Sequence, residues 1–277
     1  MITVDGKKIA SNLLKDLKKE AKGLGQKLNI AIISVSPDKA STSFIKKKKE
    51  VAEELGIGFK VFKFGANISN NELRKALNKI TRYKKFNGVV VQLPLPEKLN
   101  CQYILDAVPC RKDIDVLSVK SLGRVYADKN KIISPVVAAV LKVVDQYDIK
   151  VKARHVVIIG AGRLVGKPIL IEFIKHGATV TVLNQFTPSL KEHTIKADIL
   201  ISATGQPGII KENMLKKGSV VFDIGMGTEK NKGVLRGDID INGIEKKAEI
   251  FVPSSNGIGP IMVVMLMKNL IDLNKFN

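Results

Sequence analysis

Apolar residues recur along this chain in two alternating spacings. From Ile9 to Lys22 they return every three or four positions, as on one face of a helix. Ile30 to Val35 (IAIISV) is a continuous apolar run of strand length. Ser41 to Leu55 is helical again, Gly58 to Phe64 reads as a strand, Asn71 to Tyr83 as a helix, and Gly88 to Gln92 (GVVVQ) as a buried strand. A second series follows Ile132. Pro135 to Tyr147 and Val165 to His176 read as helices, and His155 to Ile159, Thr179 to Leu183, Ile199 to Ala203 and Ser219 to Ile224 as strands. Gly259 to Leu273 reads as an apolar closing helix. Strands alternating with helices predict an α/β fold with parallel sheets covered on both faces. The stretch from Lys112 to Lys131 is polar and lacks a strong period, which makes it the expected domain connection.

One residue breaks the pattern. On a wheel of roughly 100° per residue, Phe44, Ile45, Val51, Ala52 and Leu55 form one apolar arc, and Lys48 falls near its middle. Phe44 and Lys48 are four apart and share a helix face. An ammonium there must be paired, reach water or lose its proton more easily than usual. Such a lysine either snorkels to solvent or serves chemistry.

Composition narrows the classes. The 277 residues suffice for two modest domains, and 45% hydrophobic content fits a packed globular protein. No run reads as long enough to cross a bilayer, and MITVDGKKIA has no apolar secretory core, so a cytoplasmic protein is expected. The two cysteines, Cys101 and Cys110, fit a reducing compartment. His155, His176 and His193 have no metal-ligand spacing, so no metal is expected. The formal net charge of +20 raises nucleic-acid binding, but the lysines are dispersed over many helices and aromatic residues make up only 5%. Neither a nucleic-acid nor a membrane partner is expected.

The strand His155 to Ile159 runs into Gly160-Ala161-Gly162-Arg163-Leu164-Val165-Gly166 and then a helix, the order a dinucleotide-binding fold requires. The first glycine permits the tight turn, and the second lets backbone approach a pyrophosphate at the helix N-terminus. Without a ligand it is a tight strand-to-helix turn. The next strand ends at Asn184-Gln185, with no acid for the ribose 2′-hydroxyl of NAD, while Arg163 is available to a 2′-phosphate. NADP is the expected cofactor, with NAD the alternative.

In the first half, Gln92 closes an apolar strand ahead of Leu93-Pro94-Leu95-Pro96, at the carboxyl end, where ligands sit in parallel folds; without a ligand it is a polar strand end. Lys112-Asp113-Ile114-Asp115 puts two carboxylates on one side if the backbone is extended; taken alone they read as solvated loop charges.

Together these strings resemble the bifunctional methylenetetrahydrofolate dehydrogenase/methenyltetrahydrofolate cyclohydrolases over essentially the whole chain. Val91 to Pro96 reproduces VQLPLP, Ala40-Ser41 through Lys48 matches A-S-x-x-Y-x-x-x-K, and Lys112 to Asp115 matches K-D-V-D. Gly123-Arg124 matches G-R, and Val165 to Pro168 matches V-G-x-P. Asp223 to Met226, Gly237 to Ile239 and Gly257 to Pro260 match D-V-G-I, G-D-V and G-V-G-P. The resemblance implies a folate-binding catalytic domain over residues 1–117, rejoined by 255–277, and an NADP-binding Rossmann-type domain over 118–254. It implies an active-site cleft between them, a homodimer, and a role in one-carbon metabolism and purine biosynthesis. By carry-over Lys48 is the catalytic lysine, Gln92 holds it and the substrate, and Asp115 binds the pterin. Phe44, Gly257 and Pro260 fall to the substrate; Gly160, Ala161, Gly162, Arg163, Gln185 and Met226 fall to the cofactor.

The departures are specific. Phe44 replaces the family's tyrosine, Asn184-Gln185-Phe186-Thr187 replaces H-S-R-T, and Val116 replaces the glycine after Asp115. G-R-S in the cofactor turn becomes Gly160-Ala161-Gly162, with Arg163 shifted along. A shikimate-dehydrogenase-like enzyme and a basic nucleotide- or RNA-binding protein are the rival readings.

Overall fold

The computed structural model describes residues 1–228 and 234–275. The chain opens with β1 (Ile2–Thr3), α1 (Gly6–Gly23), β2 (Asn29–Val35), α2 (Lys39–Glu54), β3 (Gly58–Phe64) and α3 (Asn70–Arg82). It continues with β4 (Gly88–Val91), α4 (Cys101–Leu105), α5 (Val119–Tyr126), α6 (Pro135–Gln146), β5 (His155–Ile159), α7 (Gly166–Lys175), β6 (Thr179–Leu183) and α8 (Leu190–Thr194). Then follow β7 (Ile199–Ser202), β8 (Ser219–Asp223), β9 (Met226–Thr228), β10 (Leu235–Gly237), β11 (Ala248–Val252) and α9 (Gly259–Asn274).

Two compact units form. One comprises Ser11–Pro135 and Val263–Asn277, the other Met1–Ala10 and Val136–Met262. These bounds differ from those read from the sequence in three places. Residues 118–135 lie with the first unit, because Ser118 and Ser121 bond into the Asp113 turn and Asn269 holds the Ile133 carbonyl. Residues 1–10 lie with the second, because β1 pairs with β11. The returning segment begins at Val263 rather than residue 255, and its last two residues, 276–277, lie outside the described residues.

The first unit is a three-stranded parallel sheet in the order β3-β2-β4. The central strand β2 is buried from Ile30 to Val35, which is why its sequence is a continuous apolar run. α3 starts with a capping box, Ser69 and Glu72 each accepting the other's backbone N–H, and lays Leu73, Leu77 and Ile80 on the sheet. Gly88 has no side chain for a reason: a Cβ there would lie 2.7 Å from Leu270 of α9 and 3.0 Å from Ile114. The closing helix and the turn bearing Ile114 therefore pack directly against β4.

The second unit is a six-stranded sheet in the order β1-β11-β8-β7-β5-β6, parallel throughout, with β9 and β10 as a separate antiparallel pair. Residues 254–274 reach the length and apolarity of a membrane span, 21 residues at mean hydropathy 1.2, which corrects the sequence reading on length. Most of that stretch is buried inside the protein, as in a core helix, with Ile261, Met267, Leu270 and Ile271 fully buried.

Two aspartates lock the carboxyl ends of β7 and β8. Asp223 accepts the N–H of Asp238 at 2.9 Å and of Ile239 at 3.3 Å; Asp238 accepts the Ser202 hydroxyl and the Thr204 N–H, both at 2.7 Å. Gly237 and Gly225 leave room for them, since a Cβ at either would sit about 2 Å from the Asp223 or Asp238 carboxyl. Burial pushes the Asp223 carboxyl up to about 7 against the pull of its two N–H partners, and Asp238 adds to the rise. Unfolded, the group titrates near 3.9. Between those values the unfolded chain releases a proton that the folded chain keeps. This group therefore lowers stability as pH rises from about 4 to about 7, by up to ~4 kcal/mol. Asp223→Asn should shrink the stability difference between about pH 5 and about pH 8 in urea denaturation. An undiminished difference contradicts this assignment.

Candidate active site

α2 begins where Asp38, its N-cap, accepts the backbone N–H of Ser41 at 2.7 Å. Two turns on, Lys48 points into the unit and is only 8% exposed, so it does not snorkel. Its Nζ donates to Gln92 Oε1 at 3.0 Å. Gln92 follows β4 directly, its N–H donating to Ile33 on β2 at 2.8 Å. The Gln92 amide has one orientation available, because Nε2 donates to the Leu93 carbonyl at 2.8 Å, leaving Oε1 for the lysine.

Burial makes the Lys48 ammonium easier to deprotonate than an ordinary lysine, while the Asp115 charge works against that. Burial likewise raises the Asp115 carboxyl, with Lys48 lowering it and Asp113 raising it further. The residue Asp115 as a whole is half-buried, but its carboxyl lies deep among protein atoms. Lys48, Gln92 and Asp115, expected together from the sequence, are brought together within one unit. Phe44 sits one turn before Lys48, half-buried, with the Lys47 ammonium 5.7 Å from its ring centroid.

The backbone carrying Asp115 is not extended, so the condition under which the two carboxylates would share one side is not met. It winds into a turn: Asp113 N–H bonds to Pro109 O at 3.0 Å and Val116 N–H to Asp113 O at 3.3 Å. Asp113 is therefore neither a solvated loop charge nor a twin of Asp115. Buried at 4% exposure, it accepts the N–H of Leu117, the N–H of Ser118 at 2.9 Å and the Ser118 hydroxyl at 2.6 Å. Asn269 of α9 donates to the Ile114 carbonyl at 2.9 Å, and Lys112 Nζ donates to Tyr83 O, at the end of α3, at 2.8 Å. Val116 then adopts φ +59°, left-handed backbone that costs a β-branched residue about 1–2 kcal/mol. Glycine avoids that cost, which is the physical content of the departure at this position. The pairing of Asp113 with the N–H groups at 117 and 118 went unread in the sequence; Ser118, the N-cap of α5, was its local trace.

In the second unit, Gly160 ends β5 at φ +100° with the Ala203 carbonyl 2.5 Å from where a Cβ would stand. Gly166 is equally obligatory, a Cβ falling 1.9 Å from Gly160 O. Gly162 is exposed and a Cβ there would meet nothing within 4 Å, so the backbone of the turn is open to approach. α7 starts without a side-chain cap on Val165; Lys167 N–H donates to Gly162 O at 3.0 Å, Ile169 N–H to Val165 O at 3.1 Å, and Pro168 has no N–H. The open backbone of this turn, ahead of a helix N-terminus, fits a cofactor phosphate. Ala161 and Arg163 are half-buried, and Arg163 already has a protein partner. Gln185 is exposed past the end of β6, and Met226 is half-buried at the start of β9. Gly257 and Pro260 belong to this unit also. Gly257 is buried, its carbonyl 1.8 Å from where a Cβ on Gly6 would stand, and Pro260 occupies the first turn of α9.

A glycine turn of this build marks a dinucleotide-binding domain, and the buried lysine with its glutamine and aspartate marks the other unit as catalytic: a two-domain, nucleotide-dependent enzyme. Two family profiles match in the same order, the tetrahydrofolate dehydrogenase/cyclohydrolase catalytic domain over residues 4–115 and the NAD(P)-binding domain of the same family over residues 134–277. The chain belongs to the tetrahydrofolate dehydrogenase/cyclohydrolase family. It is 32% identical over 277 residues to the bifunctional protein FolD of Hydrogenobaculum sp., covering 99% of each chain. Among solved structures it resembles the bifunctional FolD methylenetetrahydrofolate dehydrogenase/cyclohydrolase of Campylobacter jejuni, with TM-score 0.94 and 30% identity over 100% of this chain and 99% of that one. The Trypanosoma brucei enzyme, solved with NADP and an inhibitor, matches at TM-score 0.93 and 26% identity over 99% and 97% of the two chains. A shikimate dehydrogenase from Aquifex aeolicus shares the fold alone, at TM-score 0.53 and 15% identity over 88% of this chain and 91% of that one.

Asp113→Ala should strip acceptors from the N–H groups of Leu117 and Ser118 and destabilise the protein by about 3 kcal/mol. Urea denaturation measures this, and an unchanged midpoint contradicts the anchoring role.

Proposed function

We propose that this chain oxidises 5,10-methylenetetrahydrofolate to 5,10-methenyltetrahydrofolate with NADP, and hydrolyses that product to 10-formyltetrahydrofolate. The observation that carries the reading is the buried Lys48 amine held by Gln92 with Asp115 facing it. The reacting carbon of the substrate lies between two nitrogens whose lone pairs stabilise the cation left when hydride departs. NADP, when bound, would supply the acceptor for that hydride. The protein's part in this step is to align the substrate.

In the second step water adds to the cationic carbon, one carbon–nitrogen bond breaks, and a proton leaves. Lys48 takes that proton, because its burial favours the neutral amine and Gln92 fixes where Nζ lies. Asp115 accepts the adjacent N–H donors of the pterin, a bidentate contact that suits a carboxylate. Phe44, Gly257 and Pro260 contact the folate, and the Phe44 ring offers a stacking face without a hydroxyl. Gly160, Ala161 and Gly162 would hold the cofactor phosphates, Arg163 and Gln185 would serve its adenosine end, and Met226 would line its site. The enzyme works as a homodimer in the cytoplasm, where its two half-buried cysteines stay reduced.

The direct test supplies methylenetetrahydrofolate with NADP, and with NAD in parallel, and follows methenyl product and reduced cofactor optically. Turnover with NADP ahead of NAD is expected; folded protein that binds NADP yet turns over neither contradicts the proposal. Lys48→Met, similar in shape and uncharged, should keep the fold and lower hydrolysis at least ~100-fold. Hydrolysis that survives this change removes Lys48 from the chemistry. Because Phe44 cannot hydrogen-bond to the lysine, hydrolysis should be the slower activity, and Phe44→Tyr should raise it relative to oxidation. A ratio that stays put argues against any part for the missing hydroxyl.

A further inference from the structure

β6 is the edge strand of its sheet, and its carboxyl end is tied to the glycine turn: Gly160 N–H donates to Leu183 O at 2.9 Å. Beyond Leu183 the chain makes a short turn held by three bonds. Thr187 N–H donates to Asn184 O at 3.0 Å, Asn184 N–H to Thr187 Oγ1 at 3.0 Å, and Phe186 N–H to Asn184 Oδ1 at 2.9 Å. The turn presents Phe186 to solvent at 81% exposure, the highest of any large apolar side chain among the described residues. Leu164, within the glycine turn, is also exposed, at 44%.

Single exposed apolar side chains are ordinary on protein surfaces. This one differs in its place. In a dinucleotide fold the end of the strand after the glycine turn receives the adenosine ribose. Residues 184–187 offer that region no acid and no base, only Asn184, Gln185, Phe186 and Thr187. Asn184 spends its side-chain oxygen on the turn itself. What remains is a fixed turn carrying a flat aromatic ring, on the strand end that Gly160 N–H ties to the glycine turn.

We propose that Phe186 is an adenine-stacking residue, its ring covering one face of the adenine of bound NADP. The inference rests on the NADP reading above and extends it to how this chain holds the adenosine end. An aromatic face serves any purine ring and does not discriminate NADP from NAD, so selection for the 2′-phosphate falls to Arg163. Holding the ring in a bonded turn limits the ordering needed when the cofactor arrives.

The test uses the full chain and binding alone. Calorimetry with NADP and with 2′,5′-ADP should show Phe186→Ala weakened about 5- to 100-fold toward both, the range for losing one base–aromatic stack. The chain has no tryptophan, so Phe186→Trp supplies a single indole at the site. That variant should keep its affinity, and its emission should be quenched saturably by NADP and 2′,5′-ADP but not by nicotinamide mononucleotide. NADP affinity untouched in Phe186→Ala, with indole emission unmoved, overturns the proposal. A Phe186→Ala chain that binds NADP normally but loses self-association also overturns it, because the ring then covers a second copy. Failure of the unaltered chain to bind NADP sinks the cofactor reading and this inference with it, whereas binding indifferent to Phe186 sinks this inference alone.

Discussion

Everything distinctive about the catalytic unit depends on one hydrogen bond, from Lys48 Nζ to Gln92 Oε1. A lysine amine on the apolar face of α2 has lost most of its water and needs a partner that is itself fixed. Gln92 is fixed twice, by its backbone N–H on β2 and by its amide on the Leu93 carbonyl. A neutral partner matters. A carboxylate at that spot would hold the ammonium charged, whereas an amide oxygen tolerates a lysine that gives up its proton under the pressure of burial. The sheet thus sets the lysine's position while leaving its charge adjustable.

Asp115 supplies the opposing pull, and the protein spends several contacts to keep it in place. Asp113 gathers the N–H groups after it, Asn269 holds the carbonyl before it, and Lys112 ties the segment to the end of α3. Val116 accepts left-handed backbone within that frame. The strain stays because the surrounding bonds over-determine the turn. Asp113 and Asp115, two residues apart, therefore do different work, one anchoring the backbone and the other facing the lysine.

How much of this was readable in the sequence varies by element. The apolar periods located α2, α3, β2, β4 and the core of the dinucleotide-binding unit nearly to the residue, because burial dictates those patterns directly. Lys48 stood out for the same reason: a polar residue in an apolar arc is a local signal. β1 has only two residues and gains its identity from pairing with β11, so it carries no pattern of its own. α5 lay hidden in a polar stretch containing Gly123; Ser118 caps it locally, accepting the Ser121 N–H, but eight residues with Gly123 among them show too little apolar period to be seen. The unit bounds differ from those read in the sequence because β-pairing and side-chain bonds across long sequence separations assign those segments. Asp223 and Asp238 appeared only as parts of familiar strings; the clearance that Gly225 and Gly237 give them is visible only in space.

The central claim is that burial, tempered by Asp115 and accepted by Gln92, lets Lys48 lose its proton far more readily than a surface lysine. NMR titration of isotope-labelled lysine side chains, with the Lys48 signal assigned by its absence in Lys48→Met, measures this directly. The account predicts one amine titrating well below the usual lysine range of about 10.4, moving higher or lower when Asp115 or Gln92 is changed. A Lys48 signal that titrates together with the surface lysines would contradict it.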